Sequence, residues 1–595
     1  MIAIAGSNER IARTLFQSLS SAMESRGQTG AYKASGNVVL GVAFADSGIS
    51  ISFDGHLFGQ YSNAKAVIDG YRKEGISIFS KLDGFFAFCL WDEKNDMLVA
   101  ARDRLGVRPL YYMRLGRTII LVSQISAFFA LNKSLKPNEN LICEYLLTGN
   151  HPRNGQTFYD EIKEVLPGQY LVISDNNITV QKSYSASSKK IIANQRNRDF
   201  VEEFSVLFTK TVQRMVPQEG KYATSLSGGL DSTLLASTIQ EFESNNNHRL
   251  YSVVCKDASY KDWELPYIED FKRHIDKDVN YLEVPFPPSW RDLEDYVNQI
   301  SEPAPLLIYY ISYVISKKIA NDKINVVFTG TGGDDFMLGL EWQHTDYLRE
   351  LWRRKDFCRF IREVFGYLLN QAYLLNAHDV KSIGTFAKIR FRGSEKNLDF
   401  LSTEFVRRNY RKPSRSDYDS IGDIIEYAEY LDRIYASKGI EPLHPFLDKE
   451  LVNYMRNLPS DAKIRWGTRK YLLRQIAKGL VPESIRKCKR KFASSIPLSG
   501  WLIAWKDYIE EILDSAEFSK RGYYNVENIR HAYRKMLDRQ FDPIQEFRIA
   551  AQLWRVINLE LWLRKSLARA KAVRHLPHRS ELQKLQSENS ASINP

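Results

Sequence analysis

Alternating hydrophobic and polar positions dominate roughly the first 190 residues. An alternation with a period of two is typical of half-buried β-strands. The segments with this pattern, separated by turn residues, are 38–45, 49–53, 96–101, 118–123 and 169–173. The pattern therefore predicts a β-rich first domain over residues 1–190.

The pattern changes after residue 184. A polar link at 185–198 is followed by helical periodicity at 200–216 and by β-branched segments at 249–255 and 324–329. Strands that alternate with amphipathic helices predict a parallel α/β sheet, here a second domain over residues 195–570. From residue 571 to 595 the chain is polar, which predicts a disordered tail.

One stretch at 222–235 carries the chemistry of an anion site. A short strand leads into Ser227, Gly228 and Gly229, and a helix follows that opens near Asp231 and Ser232. Glycine amides and a helix N-terminus bind anions such as phosphate, and the two hydroxyls can donate to the same group. Asp231 would repel phosphate unless it held a divalent cation. An ordinary capped helix is the simpler alternative.

Composition agrees with a multidomain globular protein of the cytoplasm. The chain has 595 residues, 44% of them hydrophobic, and no apolar run long enough to span a bilayer. Its five cysteines have no metal-type spacing, which suits a reducing compartment. The net charge is +12. We attribute this charge to a solvated surface and an anion site, and not to nucleic-acid binding, because no nucleic-acid module accompanies it.

Seven short motifs occur in an order that resembles the class B asparagine synthetase family over nearly the whole chain. They are residues 53–57, 82–88, 101–112, 227–232, 329–335, 444–448 and 559–563. The resemblance implies a β-sandwich glutaminase-like domain of the N-terminal nucleophile (Ntn) type, followed by a PP-loop ATPase domain with a parallel sheet. It also implies that the enzyme uses ATP and Mg²⁺ to adenylate a carboxylate, that pyrophosphate leaves, and that an amine displaces AMP to form an amide.

The chain departs from this family at position 2. Glutamine-using members have a catalytic Cys there, whereas this chain has Ile2, whose side chain has no lone pair to attack an amide. Cys89 and Cys143 do not lie at the chain start and cannot replace it. The first domain is therefore predicted to be inactive toward glutamine, with Asp103 and Arg108 as residues that maintain its fold.

The resemblance also assigns the nucleotide site. It implies that the Ser-Gly-Gly turn holds pyrophosphate and that Asp231 and Asp334 hold Mg²⁺. Leu226, Val254 and Gly330 would line the adenosine part.

A cation for the phosphate charge is expected near residue 489. Counting back from Phe492 matches Lys489 to the basic residue of the family, whereas counting forward from Pro482 leaves Arg490 and Lys491 open. A mobile lysine suits charge that develops during the reaction.

By the resemblance, position 331 distinguishes branches of the family: asparagine-forming members typically have Glu there, and β-lactam synthetases have Tyr, which helps deprotonate the amine. Here it is Thr331, a poor base, and Glu441 is the candidate carboxylate acting on the amine. A structural salt bridge is the alternative role for Glu441.

These features favour a lasso peptide cyclase. Branches without the N-terminal Cys close a ring within one molecule, and a long aromatic segment after Gly339 gives walls for a substrate larger than an amino acid. The partners would be a precursor peptide and its leader peptidase or leader-binding protein. The alternatives are a small-molecule amide ligase, either ammonia-dependent or β-lactam-forming, and a non-catalytic scaffold.

Overall fold

The computed structural model describes residues 1–573, with gaps at 7–8, 24–31, 36–37, 42, 132–134, 150–153, 176, 183–196, 244, 256–263, 286, 305, 376–399, 411–419 and 490–495. Most of the predicted polar link and nearly all of the predicted tail lie outside the described residues.

The first domain is a sandwich of two six-stranded antiparallel sheets. Its strands in chain order are β1 Ile2–Ala5, β2 Tyr32–Ser35, β3 Val38–Gly41, β4 Phe44–Asp46, β5 Ile49–Leu57, β6 Gly84–Asp92, β7 Met97–Arg102, β8 Tyr111–Leu115, β9 Thr118–Val122, β10 Ile162–Glu164, β11 Gln169–Ser174 and β12 Asn177–Lys182. One sheet has the order β10-β8-β9-β1-β3-β2, and the other β12-β11-β7-β6-β5-β4.

The sandwich core forms because successive side chains of a strand face opposite sides of its sheet. Ala3 and Leu121 of the first sheet pack in one buried cluster with Ala87 and Leu98 of the second. Ile2 faces the other side of the first sheet and is fully buried in a second cluster. Position 2 is thus part of a packed central strand, paired with Val122 of β9.

The second domain is built on a five-stranded sheet in which all neighbouring strands are parallel, with the order β15-β14-β13-β16-β17. Its strands are β13 Tyr222–Ser225, β14 His248–Cys255, β15 Val279–Val284, β16 Val326–Phe328 and β17 Glu441–Leu443. The central strand β13 leads directly into the Ser-Gly-Gly turn. Ligands of open parallel sheets bind beyond the carboxyl ends of the strands, which is where this turn lies.

Helices pack against the sheets and make up most of the rest of the second domain. They are α1 Glu9–Ser21, α2 Ala64–Glu74, α3 Glu139–Thr148, α4 Asn197–Met215, α5 Leu230–Gln240, α6 Leu265–Ile275, α7 Trp290–Ile300, α8 Tyr309–Asn321, α9 Gly333–Phe336, α10 Glu341–Arg353, α11 Phe357–Leu375, α12 Thr403–Asn409, α13 Ser420–Ala436, α14 Lys449–Asn457, α15 Ser460–Lys463, α16 Tyr471–Ile476, α17 Glu483–Arg486, α18 Leu498–Ala504, α19 Lys506–Asp514, α20 Ala516–Lys520, α21 Val526–Leu537 and α22 Pro543–Val573. Among the described residues, none of these helices is both long and apolar enough to cross a membrane.

The structure confirms the predicted α/β class and the strand-rich first domain. Every segment predicted as a strand overlaps an observed strand, and the helical segment predicted at 200–216 lies in α4 except for its last residue. Strand β6 was not predicted, because its sequence Gly-Phe-Phe-Ala-Phe-Cys-Leu-Trp-Asp is buried on both faces and shows no alternation.

A buried charge network joins the two domains. Arg108 of the sandwich donates to Asp432 of α13 and, at 2.6 Å, to Glu441 of β17. Within the sandwich, Asp103 accepts the backbone N–H groups of Leu105, Val107 and Arg108 at 2.9–3.1 Å. These contacts fit the predicted role of Asp103 and Arg108 in maintaining the fold, and Arg108 extends that role to the domain interface.

Candidate active site

One pocket lies at the carboxyl end of β13 and gathers residues that are far apart in sequence. Its walls come from the Ser-Gly-Gly turn, the start of α9, helix α11, the loop before α16 and the segment after α17. The lining residues that carry charge are Asp231, Asp334, Arg469, Lys470, Arg474 and Lys489. Four basic groups against two carboxylates make the pocket attractive to an anion.

The Ser-Gly-Gly turn is held in shape by its own hydroxyls. The Ser227 amide donates to Ser232 Oγ at 3.1 Å, and the two serine hydroxyls lie 3.1 Å apart. Gly229 is the N-cap of α5 and offers no side-chain cap. Gly228 serves close approach, because a Cβ there would lie 2.9 Å from the Glu264 carbonyl oxygen. The predicted strand, turn and helix are therefore present, with the first helical turn opening on the pocket.

Asp231 and Asp334 converge on a single cation. Lys470 Nζ lies 2.5 Å from Asp231 Oδ2 and 2.8 Å from Asp334 Oδ1. Burial alone would lower the pKa of the Lys470 ammonium, but the two carboxylates outweigh burial and raise it. Lys470 is therefore a firmly charged group at the centre of the pocket.

Two glycines allow the carboxylates to meet. A Cβ on Gly330 would lie 3.1 Å from Asp231 Cβ, and one on Gly333 would lie 2.6 Å from Asp231 Cγ. Any larger residue at Gly333 would thus displace the Asp231 carboxylate. The glycine-rich turn after β16 is required for this approach.

The pair Asp231 and Asp334 fits a magnesium ion. Both carboxylates already reach one cation, and carboxylate oxygens are the ligands that Mg²⁺ prefers. Among the described residues, no cluster of three or more His, Cys, Asp or Glu side chains could hold a metal. Mg²⁺ that is bound by two carboxylates takes its other ligands from substrate phosphates and water. Asp231 and Asp334 are thus the residues that would hold it.

Lys489 also lines the pocket. Its Nζ donates to Asn370 Oδ1 of α11. Burial, and after it the nearby charge of Arg474, lowers the pKa of Lys489. The other two candidate cations, Arg490 and Lys491, lie outside the described residues.

The lowered pKa of Lys489 predicts an early alkaline limb in the pH profile. If Lys489 acts as a cation, activity falls as pH rises through its pKa. Arg474→Gln removes a nearby positive charge, so the pKa of Lys489 should rise and the limb should move to higher pH. The measurement is the rate of pyrophosphate release as a function of pH. Arg273→Gln, at an exposed arginine outside the pocket lining, is the control. A limb that stays in place or moves to lower pH in Arg474→Gln would contradict the assignment.

Three residues assigned to adenosine lie outside the pocket lining. Leu226 follows β13, Val254 lies near the end of β14, and both are buried. Gly330 follows β16 beside Asp231. All three lie at the carboxyl edge of the sheet, and their adenosine contacts stay a prediction.

The two residues considered for the amine differ in their surroundings. Thr331 Oγ1 lies 2.8 Å from Thr329 Oγ1, which in turn lies 2.7 Å from His444 Nδ1. Burial lowers the pKa of His444 to about 3, so the imidazole is neutral. Glu441 lies outside the pocket lining and is paired with Arg108 at the domain interface. That place differs from the predicted one on the amine and favours the structural salt bridge.

Sequence reasoning missed Lys470 and its neighbours Arg469 and Arg474. They lie in Thr468–Arg474, a stretch whose basic residues resemble many solvated helix starts. Only the folded arrangement brings Lys470 to two aspartates that lie 239 and 136 positions earlier.

Comparison with known proteins agrees with this architecture. A family model described as Asparagine synthase matches residues 203–564, and one described as Glutamine amidotransferase domain matches residues 49–185. Asparagine synthetase (glutamine-hydrolyzing) 1 of Bacillus subtilis (strain 168) is 24% identical over 488 residues, 75% of this chain and 73% of the relative. Amidase chyE of Penicillium rubens is 24% identical over 500 residues, 72% of each chain.

An anion pocket with two carboxylates that share one cation position at the edge of a parallel sheet, preceded by an amidotransferase-type sandwich, is typical of a nucleotide-dependent ligase. Since the family match covers more than half of the sequence, the chain belongs to the asparagine synthase family. It is an ATP-dependent C–N ligase that forms AMP and pyrophosphate and uses Mg²⁺.

Proposed function

We propose that this ligase is a lasso peptide cyclase. A side-chain carboxylate oxygen of an Asp or Glu in the peptide attacks the α-phosphorus of ATP, and pyrophosphate leaves. The α-amine of the same peptide then attacks the activated carbonyl carbon, loses a proton and displaces AMP. The product is a macrolactam.

The observation that carries the proposal is the combination, in one chain, of Ile2 in the first domain with an intact synthetase pocket in the second. Ile2 is fully buried in β1, where it packs in the sandwich and has no nucleophilic atom. Hydrolysis of glutamine therefore has no nucleophile at this position, while Asp231, Asp334 and Lys470 keep the groups that adenylation needs. The amine must come from elsewhere, and a peptide that carries both reacting groups supplies it.

The pocket residues divide the work of adenylation. The Ser227–Gly229 turn and the start of α5 bind phosphate oxygens, and the carboxylates of Asp231 and Asp334 hold Mg²⁺. Lys470 and Lys489 are placed to meet the charge of the leaving pyrophosphate. The protein acts by positioning and charge stabilisation, which are the main contributions to phosphoryl and nucleotidyl transfer.

Helices α10 and α11 support a substrate larger than an amino acid. Tyr367 of α11 lines the pocket, and its hydroxyl donates to Glu341 at 2.7 Å. Trp352, Phe357 and Phe365 are about half exposed on the outer side. The aromatic segment therefore contributes one aromatic residue to the pocket and also carries exposed apolar side chains.

A mass measurement tests the proposal. The protein is incubated with MgATP and the leader-free peptide encoded by a precursor gene beside its own. We expect AMP, pyrophosphate and a product lighter than the peptide by one water, and no glutamate release when glutamine is added. Acetylation of the α-amine should block ring closure. A peptide that stays linear while aspartate and ammonia give asparagine would replace the cyclase by the small-molecule amide ligase.

The partners follow from this chemistry. A free α-amine at the ring position requires removal of a leader, so a leader peptidase, with or without a leader-binding protein, would act before this enzyme. A cytoplasmic location, where ATP is abundant, and functional domains at 1–190 and 195–570 complete the proposal.

A further inference from the structure

The loop that delivers Lys470 begins with a tight turn in an unusual conformation. Arg465 and Thr468 exchange backbone hydrogen bonds of 3.1 and 2.9 Å, and between them Trp466 has φ 52° and Gly467 φ 64°. Positive φ at both central residues is the signature of a type I′ turn. A bulky residue such as Trp is unfavourable there, so the turn needs support from its surroundings.

The side chain of Glu363 supplies that support. Its carboxylate accepts the Trp466 amide at 3.1 Å and the Gly467 amide at 2.7 Å, and it is fully buried. Two successive N–H groups that point to one carboxylate form an anion-binding nest. Arg362 is the ion-pair partner of Glu363 at 3.0 Å. The carboxylate is thereby paired in charge and fixed in direction.

Helix α11 and the turn are in direct backbone contact. A Cβ on Gly366 would lie 2.3 Å from the Trp466 carbonyl carbon, and one on Gly467 would lie 2.3 Å from the Tyr367 amide nitrogen. Glu363 therefore reaches the turn from a neighbouring helix with no room for an alternative arrangement.

The position of the turn at 465–468 determines the position of the Lys470 ammonium in the pocket. Gly467, Thr468 and Arg469 line the pocket, and Lys470 follows with φ 55° and ψ 37° as the N-cap of α16. Arg469 Nη1 donates to the Gly339 carbonyl oxygen at 3.0 Å. A change in the turn would shift the ammonium that contacts Asp231 and Asp334.

We infer that Glu363 is a positioning residue for nucleotide binding. By fixing the turn at 465–468 it places Lys470 and the amides of the loop against the phosphates of ATP. The inference rests on the ATP pocket of the proposed function and is independent of the acceptor peptide.

Binding of a non-hydrolysable ATP analogue with Mg²⁺, measured by calorimetry on the full chain, tests the inference. In Glu363→Gln the side-chain oxygen can still accept from one of the two backbone amides, Trp466 or Gly467. The new NH₂ group is a donor and faces the N–H of the other amide, so that hydrogen bond is lost. We expect binding at least about tenfold weaker, the size of one lost charge-assisted hydrogen bond. Glu510→Gln, at a partly exposed acid on α19 outside the pocket lining, is the matched control and should bind like the parent. Arg362→Ala, which leaves both turn bonds in place, should bind more tightly than Glu363→Gln.

A second substitution separates positioning from a general effect on folding. Asn-Gly adopts the type I′ turn by itself, so Trp466→Asn should restore most of the binding lost in Glu363→Gln. Trp466→Asn alone should bind at least as well as the parent. Parent-like binding by Glu363→Gln, or no recovery in the double variant, would overturn the inference and leave the proposed function intact. A parent that does not bind the analogue would overturn both.

Discussion

Asp231→Asn and Asp334→Asn are each expected to reduce the rate of pyrophosphate release by about 10²–10³-fold, the usual cost of losing one charge-stabilising group in a polar active site. The physical reason is the geometry at Lys470. Both carboxylates contact one cation position, so each supplies one of the two negative charges that face a cation there. Asn keeps the shape of the side chain and removes the charge.

The control for these variants is Asp346→Asn. Asp346 lies on α10, is half exposed and pairs only weakly with Arg349 across one helical turn. The Asp346→Asn variant should release pyrophosphate at the parental rate, and all three variants should keep the parental circular dichroism spectrum. If Asp231→Asn and Asp334→Asn both released pyrophosphate like the parent, the metal-binding assignment would be wrong.

Local sequence was sufficient for the Ser-Gly-Gly turn. A strand, two glycines and hydroxyl residues at a helix start are short-range signals, and the hydrogen bond from Ser227 to Ser232 spans five positions. Asp334 was assigned through the family resemblance, and in the structure it follows strand β16 and a glycine turn. It meets Asp231 because neighbouring parallel strands end at the same edge of the sheet.

Lys470 and Glu363 could not be found by that route. Lys470 contributes through contacts with residues more than a hundred positions away, and Glu363 contacts a turn 103 positions later. Neither side chain lies in a distinctive local pattern. Their roles depend on how α11 and the turn pack against each other, which periodicity does not specify.

Strands of the first domain were predicted in part. The segments at 38–45 and 118–123 were identified although β3 and β9 are buried on both faces, whereas β6, also buried on both faces, is a longer continuous apolar run that was not. The domain interface was not predictable, because Arg108, Asp432 and Glu441 come together from distant segments.

The interface network carries the second large prediction. Arg108→Met should lower the free energy of unfolding by about 3–5 kcal/mol, the cost of removing one partner from a buried ion pair. Methionine preserves much of the side-chain volume, so the loss comes from charge. Asp432 is fully buried and would keep a carboxylate without its guanidinium partner.

Guanidinium unfolding followed by tryptophan fluorescence measures this loss, with Arg72→Met as the control. Arg72 pairs with Asp46 at 2.6 Å on the surface of the sandwich, where solvent screens such a pair and its contribution to stability is small. Arg108→Met also tests the role of Glu441, because burial raises the pKa of Glu441 and Arg108, together with His56, outweighs burial and lowers it. If Glu441 only joins the domains, Arg108→Met at a temperature where it stays folded should leave the pH profile of the reaction unchanged. A loss of stability no greater than that of Arg72→Met would show that the buried network does not hold the two domains together.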